Sequence, residues 1–351
     1  MPPNFKPLAH KLWRKTLLLA RHSLQPDTRV VYDTGVRLLW EFSFELCPCL
    51  YFPLCDRDWS LFYTWNIERV TPDSASNYLT HVAFLQEVAL RIPRPIWRSL
   101  PLLNRVKRGA RLKFGKSRRR KQPLTFKLGV KVRAITGLDP RYVTQNDLHL
   151  TIFICILLVG ICGLFRLGEL LLKQRKNHDA EKVIRHGQIT FFGRTDFGLA
   201  GTDTFARVWL YKSKGDTFNE GVPVYVPANI HSPLDCPVQW LLAVRRLTKN
   251  PDLGDAAPMF IMRNKQLMIK SFFIKTLKRH LKQLGFDPTK YAGHSLRIGG
   301  AVSAQRAGVP HHIIQAMGRW RSQAYLLYIK FVPERVKNLR EHLQRLHKVQ
   351  A

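Results

Sequence analysis

Leu150–Phe165 reads LTIFICILLVGICGLF and runs without a break into Arg166-Leu167-Gly168-Glu169. The first 16 of these residues carry no charge. As a helix they span roughly 24 Å at the usual rise per residue. That falls short of the ~30 Å hydrocarbon core of a bilayer, which would also not welcome the charged Arg-Leu-Gly-Glu that follows. The stretch is expected to be the central buried helix of a globular unit, within a helical region covering 145–174, rather than a membrane anchor.

Around this helix the pattern changes twice. Downstream, further helices are expected at 125–136, 233–249 and 270–284. Between them GQITFFGR, TFARVWLYKSKGD and EGVPVYVP alternate and are rich in Val, Phe, Tyr and Thr, the signature of a small antiparallel sheet with a turn near Lys214-Gly215-Asp216. Upstream, VYDTGVRLLWEFSFEL, DRDWSLFYTWNIE and TPDSASNYLTHVAFLQEVALRI place apolar residues at three- and four-residue intervals, which predicts a helical bundle. Asp56 and Thr71 fit helix N-caps, and Pro72 suits a first helical position. The expected architecture is mostly α with one small sheet: a basic arm over 1–27, a helical domain over 28–104, a basic linker over 105–124 and an α+β domain over 125–351. The linker rests on charge: residues 105–133 hold 13 Lys or Arg and no Asp or Glu. Such a run reads as an extended, solvated tether or a nuclear localisation signal, and equally as a strand of cations laid along phosphates.

Charge narrows the partners. The 351 residues hold 57 Lys and Arg against 24 Asp and Glu, a net of +33. A field of that strength calls for a polyanion, and nucleic acid is the simplest one. An acidic membrane surface is the alternative, but it predicts a basic amphipathic helix or a lipidation signal, and neither is found. The opening MPPNFKPLAHKLWRKTLLLA does not read as a secretory signal. Six cysteines occur, and the Cys47, Cys49, Cys55 trio lacks a second ligand pair at zinc spacing, so buried free thiols are expected rather than a metal site.

Four features of the C-terminal half matter as a set. Arg166 ends the apolar run with Glu169 three residues on; the plain account is a surface helix pair, the other a charge held for a ligand. Lys212 and Lys214 sit at a strand end, where a lysine is ordinarily just solvated but could hand a proton to a departing oxygen. Gly293-His294-Ser295-Leu296-Arg297 opens a helix, with His294 and Arg297 on one face, so that a guanidinium could hold phosphoryl oxygens beside a proton-handling imidazole. Met317-Gly318-Arg319-Trp320-Arg321 then leads to Tyr325 and Tyr328, which could simply be a half-buried aromatic face.

Taken in order, Arg…Lys…His-x-x-Arg…Gly-x-Trp…Tyr resembles the catalytic set of the tyrosine recombinase (phage integrase) family. FRLGEL resembles its first arginine box, GHSLRIGGA its second, and GRWRSQAYLLYIK its nucleophile segment. The wording GHSLRIGGA…AGVPHHIIQAMGRW is similar to recombinases of Crypton and DIRS-type mobile elements of eukaryotes. The likeness covers roughly residues 125–335; before that it is only one of general pattern.

The resemblance implies a helical core-binding domain followed by an α+β catalytic domain. It implies that Arg166 and Arg297 clamp a scissile phosphate, that Tyr328 attacks it to leave a 3′-phosphotyrosine, and that Lys214 protonates the leaving 5′ oxygen. His294 assists proton transfer, Glu169 orients its neighbours, and Trp320 takes the place of a His or Trp beneath the tyrosine. Arg319 fills that place by spacing from Tyr328, Lys212 competes with Lys214, and Tyr325 competes with Tyr328. No metal or other cofactor is implied. Double-stranded DNA is the implied partner, gripped between the two domains, with Arg118, Arg119, Arg120 and Lys121 along its backbone. A homo-oligomer, a tetramer on paired sites, is expected in the nucleus of a eukaryotic host or otherwise intracellularly on DNA, with the last helix (Leu339, Leu343, Leu346) docking on a neighbour or on its own domain. Two other functions fit the same residues: a catalytically inactive DNA-binding remnant of a mobile element, and a type IB topoisomerase-like enzyme acting as a monomer.

Overall fold

The computed structural model describes residues 15, 18, 23–24, 26–46, 52–115, 121–175, 180–195, 198–199, 204–211 and 220–328. The chain divides into two compact units, residues 1–118 and 119–351. Most of the expected basic arm lies outside the described residues, as do Cys47, Cys49, Arg118, Arg119, Arg120, Lys212, Lys214 and the C-terminal helix with Leu339, Leu343 and Leu346.

The first unit is all helical: α1 (Pro26–Leu46), α2 (Asp56–Ile67), α3 (Pro72–Ala89) and α4 (Pro101–Phe114). Trp59, Phe62, Tyr63, Leu79, Val82 and Leu103 close its core, each 0–1% exposed. Helix α1 packs on α3, and α2 on α4. Thr71 caps α3, its hydroxyl accepting the Ser74 N–H at 3.3 Å, with Pro72 in the first turn. Asp56 does not cap its own helix. Its carboxylate instead accepts the Leu102 and Leu103 N–H groups at 2.8 and 2.9 Å, satisfying the open end of α4.

Helix α4 corrects the expected linker. Residues 105–114 are not an extended tether but the greater part of an amphipathic helix whose Leu103 and Ala110 are buried against the unit's core. The run of cations hid a helical period: Leu103, Val106 and Ala110 return every three or four residues beneath Arg105, Lys107, Arg108, Arg111 and Lys113.

The second unit is built around α6 (Leu148–Cys162), preceded by α5 (Phe126–Ala134) and followed by the short α7 (Leu167–Leu170). Every residue from Thr151 to Ile161 is buried, so α6 is apolar on all sides because protein covers all its sides. It packs against α5, α8 (Pro237–Thr248) and α10 (His294–Arg306). Strands β1 (Ile189–Phe192), β2 (Phe205–Leu210) and β3 (Val222–Pro227) form the expected three-stranded antiparallel sheet in the order β1-β2-β3, with Ile189 opposite Val208 and Val208 opposite Val224. Helix α9 (Lys270–Gln283), α11 (His311–Met317) and a 3-10 turn (Gln323–Leu327) complete the unit.

The expected helix over 145–174 is broken. Helix α6 stops at Cys162 because Leu164 adopts a left-handed conformation (φ 49°). The Phe165 N–H then reaches back to the Gly160 carbonyl at 3.0 Å and the Leu164 N–H to that of Ile161 at 3.3 Å, the pattern of a helix stop. A left-handed leucine costs roughly 1–2 kcal/mol. Its side chain is 1% exposed, and burying a leucine returns about 1.5–3 kcal/mol. The break turns Arg166 out of the helix and places it at the cap of α7.

Candidate functional site

Three segments meet at the end of α6. The first is the α6–α7 turn with Arg166 and Glu169, the second is the start of α10, and the third is the stretch after α11. Helix α10 lies against its neighbours because of two glycines: a Cβ on Gly299 would overlap the Leu124 carbonyl, and one on Gly300 the Ile161 carbonyl. Gly293 does the same at the entrance, where a Cβ would stand 2.8 Å from Leu167. The small residues of GHSLRIGGA thus press α10 onto the first arginine segment, and His294 and Arg297 arrive there together.

Arg297 is wholly buried. Its Nη1 donates to the Leu164 carbonyl at 2.8 Å and its Nη2 to the Gly318 carbonyl. The Trp320 ring covers it, 4.1 Å from ring centroid to guanidinium carbon. Its Nε has no hydrogen-bond acceptor among the described residues. Burial and then the neighbouring Arg166 charge push the guanidinium down to about 9, which leaves it a cation at neutral pH.

Glu169, 7% exposed, ties two further arginines together. Its Oε1 accepts Arg166 Nη1 at 2.8 Å and its Oε2 accepts Arg319 Nη2 at 2.7 Å. Arg319 takes a left-handed backbone (φ 55°), which turns its side chain inward toward Glu169. Burial, outweighing the attraction of Glu169, lowers its pKa. Two guanidinium groups therefore hold one carboxylate, and the Arg297 guanidinium lies within reach of its charge.

Tyr328 closes the cluster. Its hydroxyl lies 2.8 Å from His294 Nε2, and its ring stands edge-on to the imidazole. Burial, then the charges of Arg297 and Arg166, lower the His294 pKa, so the ring is neutral at neutral pH, and its tautomer sets which way the hydrogen bond to the phenol runs. Tyr325 differs from Tyr328: it is 6% exposed and packs with Leu164, Ala301 and Ile314. Trp320 leans on both tyrosines, at ring-centroid distances of 6.0 and 6.1 Å.

The structure thus gathers Arg166, Glu169, His294, Arg297, Arg319, Trp320 and Tyr328 in one place. Of the two candidates for the position beneath the tyrosine, the Trp320 ring lies against Tyr328 while Arg319 faces Glu169. Lys121 stands apart, its ammonium donating to the Thr289 carbonyl at 2.7 Å. One further cation lies beside the α6–α7 turn. Lys270, opening α9, brings its ammonium to 2.7 Å from where a Cβ on Gly168 would stand. Nothing in the local sequence around Lys270 marks it, because its neighbour lies 102 residues away in the chain. Among the described residues no group of three or more His, Cys, Asp or Glu could hold a metal ion.

No protein-family model matches the chain, and a search of curated proteins finds no match. Solved structures do match. An integrase of the transposon Tn1549, in complex with a circular-intermediate DNA, aligns with a TM-score of 0.55 at 15% identity over 96% of this chain and 98% of the other. A lambda integrase dimer bound to a core site aligns with a TM-score of 0.53 at 12% identity over 91% of this chain and 95% of the other. The chain has the fold of the tyrosine recombinases.

Proposed function

We propose that this protein is a site-specific recombinase that cuts and rejoins double-stranded DNA through a phosphotyrosine on Tyr328. The observation that carries the reading is the 2.8 Å approach of the Tyr328 hydroxyl to a neutral His294, beside the Arg166, Arg297 and Arg319 cations. In the forward step the phenol oxygen attacks phosphorus and the bond to the 5′ oxygen breaks. The phenol proton passes to His294 Nε2, and the leaving 5′ oxygen takes a proton from Lys214, or from Lys212. Attack by a 5′-hydroxyl on the phosphotyrosine reverses the step and releases the phenol, so bond energy is conserved and no metal or nucleotide is needed. Arg166 and Arg297 steady the charge on the pentacoordinate phosphorus, with Glu169 and Arg319 supporting them and Trp320 beneath the tyrosine.

A buried N–H without an acceptor is the kind of group that a phosphoryl oxygen satisfies, and Arg297 Nε is such a group among the described residues. Three guanidinium cations against one carboxylate also leave an excess of two positive charges, which favours a phosphodiester. The net charge of +33 supplies the attraction that brings DNA to the protein, and Arg118, Arg119, Arg120 and Lys121 join in it. The biological setting we favour is integration of a mobile element of the Crypton or DIRS type. It would be carried out in a nucleus by a tetramer on paired sites, with the helical unit through α4 as core-binding domain and residues 125–351 as catalytic domain.

The test is incubation with nicked suicide duplexes carrying candidate element ends. A denaturant-stable protein–DNA adduct that is lost in Tyr328→Phe and kept in Tyr325→Phe is the expected result. An adduct that survives Tyr328→Phe, or none from the unaltered protein on any such duplex, removes the reading.

A further inference from the structure

Glu169 offers two oxygens to three donors. Oε1 accepts Arg166 Nη1 at 2.8 Å, while Oε2 accepts the Arg166 backbone N–H at 2.8 Å and Arg319 Nη2 at 2.7 Å. An arginine facing a carboxylate commonly takes both oxygens in two parallel N–H···O bonds. Arg166 does not: among the described residues only its Nη1 carries a side-chain hydrogen bond, although its side chain is 28% exposed. Arg319 holds the oxygen that the second bond would use. It is itself held from behind. Its backbone N–H donates to the Ala316 carbonyl at 2.9 Å, and its Nη1 donates to the Met317 and Gly163 carbonyls at 3.3 and 3.5 Å. The positive φ of Arg319 gives the side chain this inward course.

We infer that Arg319 is a positioning residue. By occupying Oε2 of Glu169 it limits Arg166 to a one-nitrogen pairing and leaves the rest of that guanidinium for an oxyanion. The inference rests on the reading of this cluster as a phosphate-binding centre. It assigns Arg319 a task different from touching the phosphate itself: the residue competes for a carboxylate. With Arg319 removed, Glu169 has both oxygens to give. Arg166 then rotates onto them, and its second nitrogen is lost to substrate.

Competition makes a prediction that a merely structural pin does not. In Arg319→Gln, adduct formation at saturating nicked duplex should slow by roughly tenfold or more, with duplex affinity and melting temperature near those of the unaltered protein. Adding Glu169→Gln leaves a single acceptor oxygen, which cannot chelate Arg166, so the double variant should form adduct at least about threefold faster than Arg319→Gln alone. Arg319→Lys keeps a cation on Oε2 and should stay within about threefold of the unaltered rate, which covers the case in which Arg319→Gln fails to fold. An unaltered rate in Arg319→Gln, or a double variant no faster than it, overturns the inference. If the unaltered protein forms no Tyr328-dependent adduct at all, the functional reading fails on its own. The same variants are then compared for stabilisation by sulfate in thermal melts. A sulfate-dependent rise that disappears in Arg319→Gln and returns in the double variant sustains the competition. Equal rises in all, or none in the unaltered protein, overturn it.

Discussion

Nε2 of His294 and the hydroxyl of Tyr328 lie 2.8 Å apart, although 34 residues of chain separate them. What sets the direction of proton movement between them is the neighbourhood of the imidazole. Burial disfavours its charged form, and Arg297 and Arg166 repel a further proton, so its pKa lies below the ordinary histidine value. With its proton on Nδ1, the neutral imidazole offers Nε2 as acceptor to the phenol hydroxyl, the arrangement that draws a proton off a phenol.

The rate of adduct formation should accordingly hold steady through neutral pH and fall only as His294 becomes protonated, at a pH below the usual 6.5 of histidine. Measured at subsaturating duplex, the profile reports ionisations of the unbound protein. His294→Gln should lower the rate and flatten this acidic limb. An unchanged limb in His294→Gln would assign it to another group.

Trp320 covers the Arg297 guanidinium and leans on Tyr325 and Tyr328 at once. Truncation to alanine strips the cation of its cover and opens the small cluster around Leu164, Ala301, Ile314 and Tyr325. Large-to-small changes of this size cost about 3–5 kcal/mol in full cores. The ring here is only half buried, so a loss of about 2–3 kcal/mol in urea unfolding is expected, with Trp320→Phe restoring most of it. A Trp320→Ala midpoint equal to that of the unaltered protein would show that the ring contributes little to the resting structure.

Much of this arrangement was legible in the sequence, and what was not has identifiable causes. The 150–165 run announced a fully covered helix because no face of it carries a charge. GHSLRIGGA announced a helix with His294 and Arg297 on one face, but not the close crossing that Gly299 and Gly300 allow. The stop at Cys162 was invisible because a leucine, not a glycine, takes the left-handed position at 164, and no propensity favours that. The inward turn of Arg319 depends on a backbone angle that its residue type does not signal. Asp56 has the right chemistry for a cap, but its clients are the Leu102 and Leu103 amides, 46 and 47 residues on. In α4 the charge is so dense that it masks the apolar period of the helix.

The glycines of α10 give a stability prediction of their own. A Cβ at Gly299 or Gly300 would strike main-chain carbonyl oxygens of Leu124 and Ile161, neither of which can swing away as a side-chain end could. Gly299→Ala and Gly300→Ala gain helix propensity worth about 1 kcal/mol. Overpacking against fixed backbone costs about 1–3 kcal/mol or more. Each variant should therefore be net destabilised in denaturant titrations, and since α10 carries His294 and Arg297, each should lose adduct formation too. Gly308→Ala, in open space but at φ 83°, tests the local term alone: it should be destabilised modestly and leave the site intact. Equal stability of Gly299→Ala and the unaltered protein would mean that α10 does not lie so close.

Two buried histidines outside the site make the fold itself sensitive to acid. His81, in the first unit, stacks on Tyr32 at 4.4 Å and is 4% exposed. His186, in the second, is 3% exposed and shares a hydrogen bond with Thr248 at 3.0 Å. Burial lowers the pKa of both, with the Arg245 charge adding to the effect at His186. A histidine whose pKa is lower folded than unfolded stabilises the fold fully above the unfolded value near 6.5. That contribution drains away as pH falls toward the folded value, because the unfolded chain takes up the proton first. Urea midpoints should thus decline on acidification from pH 7 to pH 5. His81→Gln and His186→Gln should each shallow that decline, and a slope untouched by both substitutions would place the acid sensitivity in the carboxylates instead.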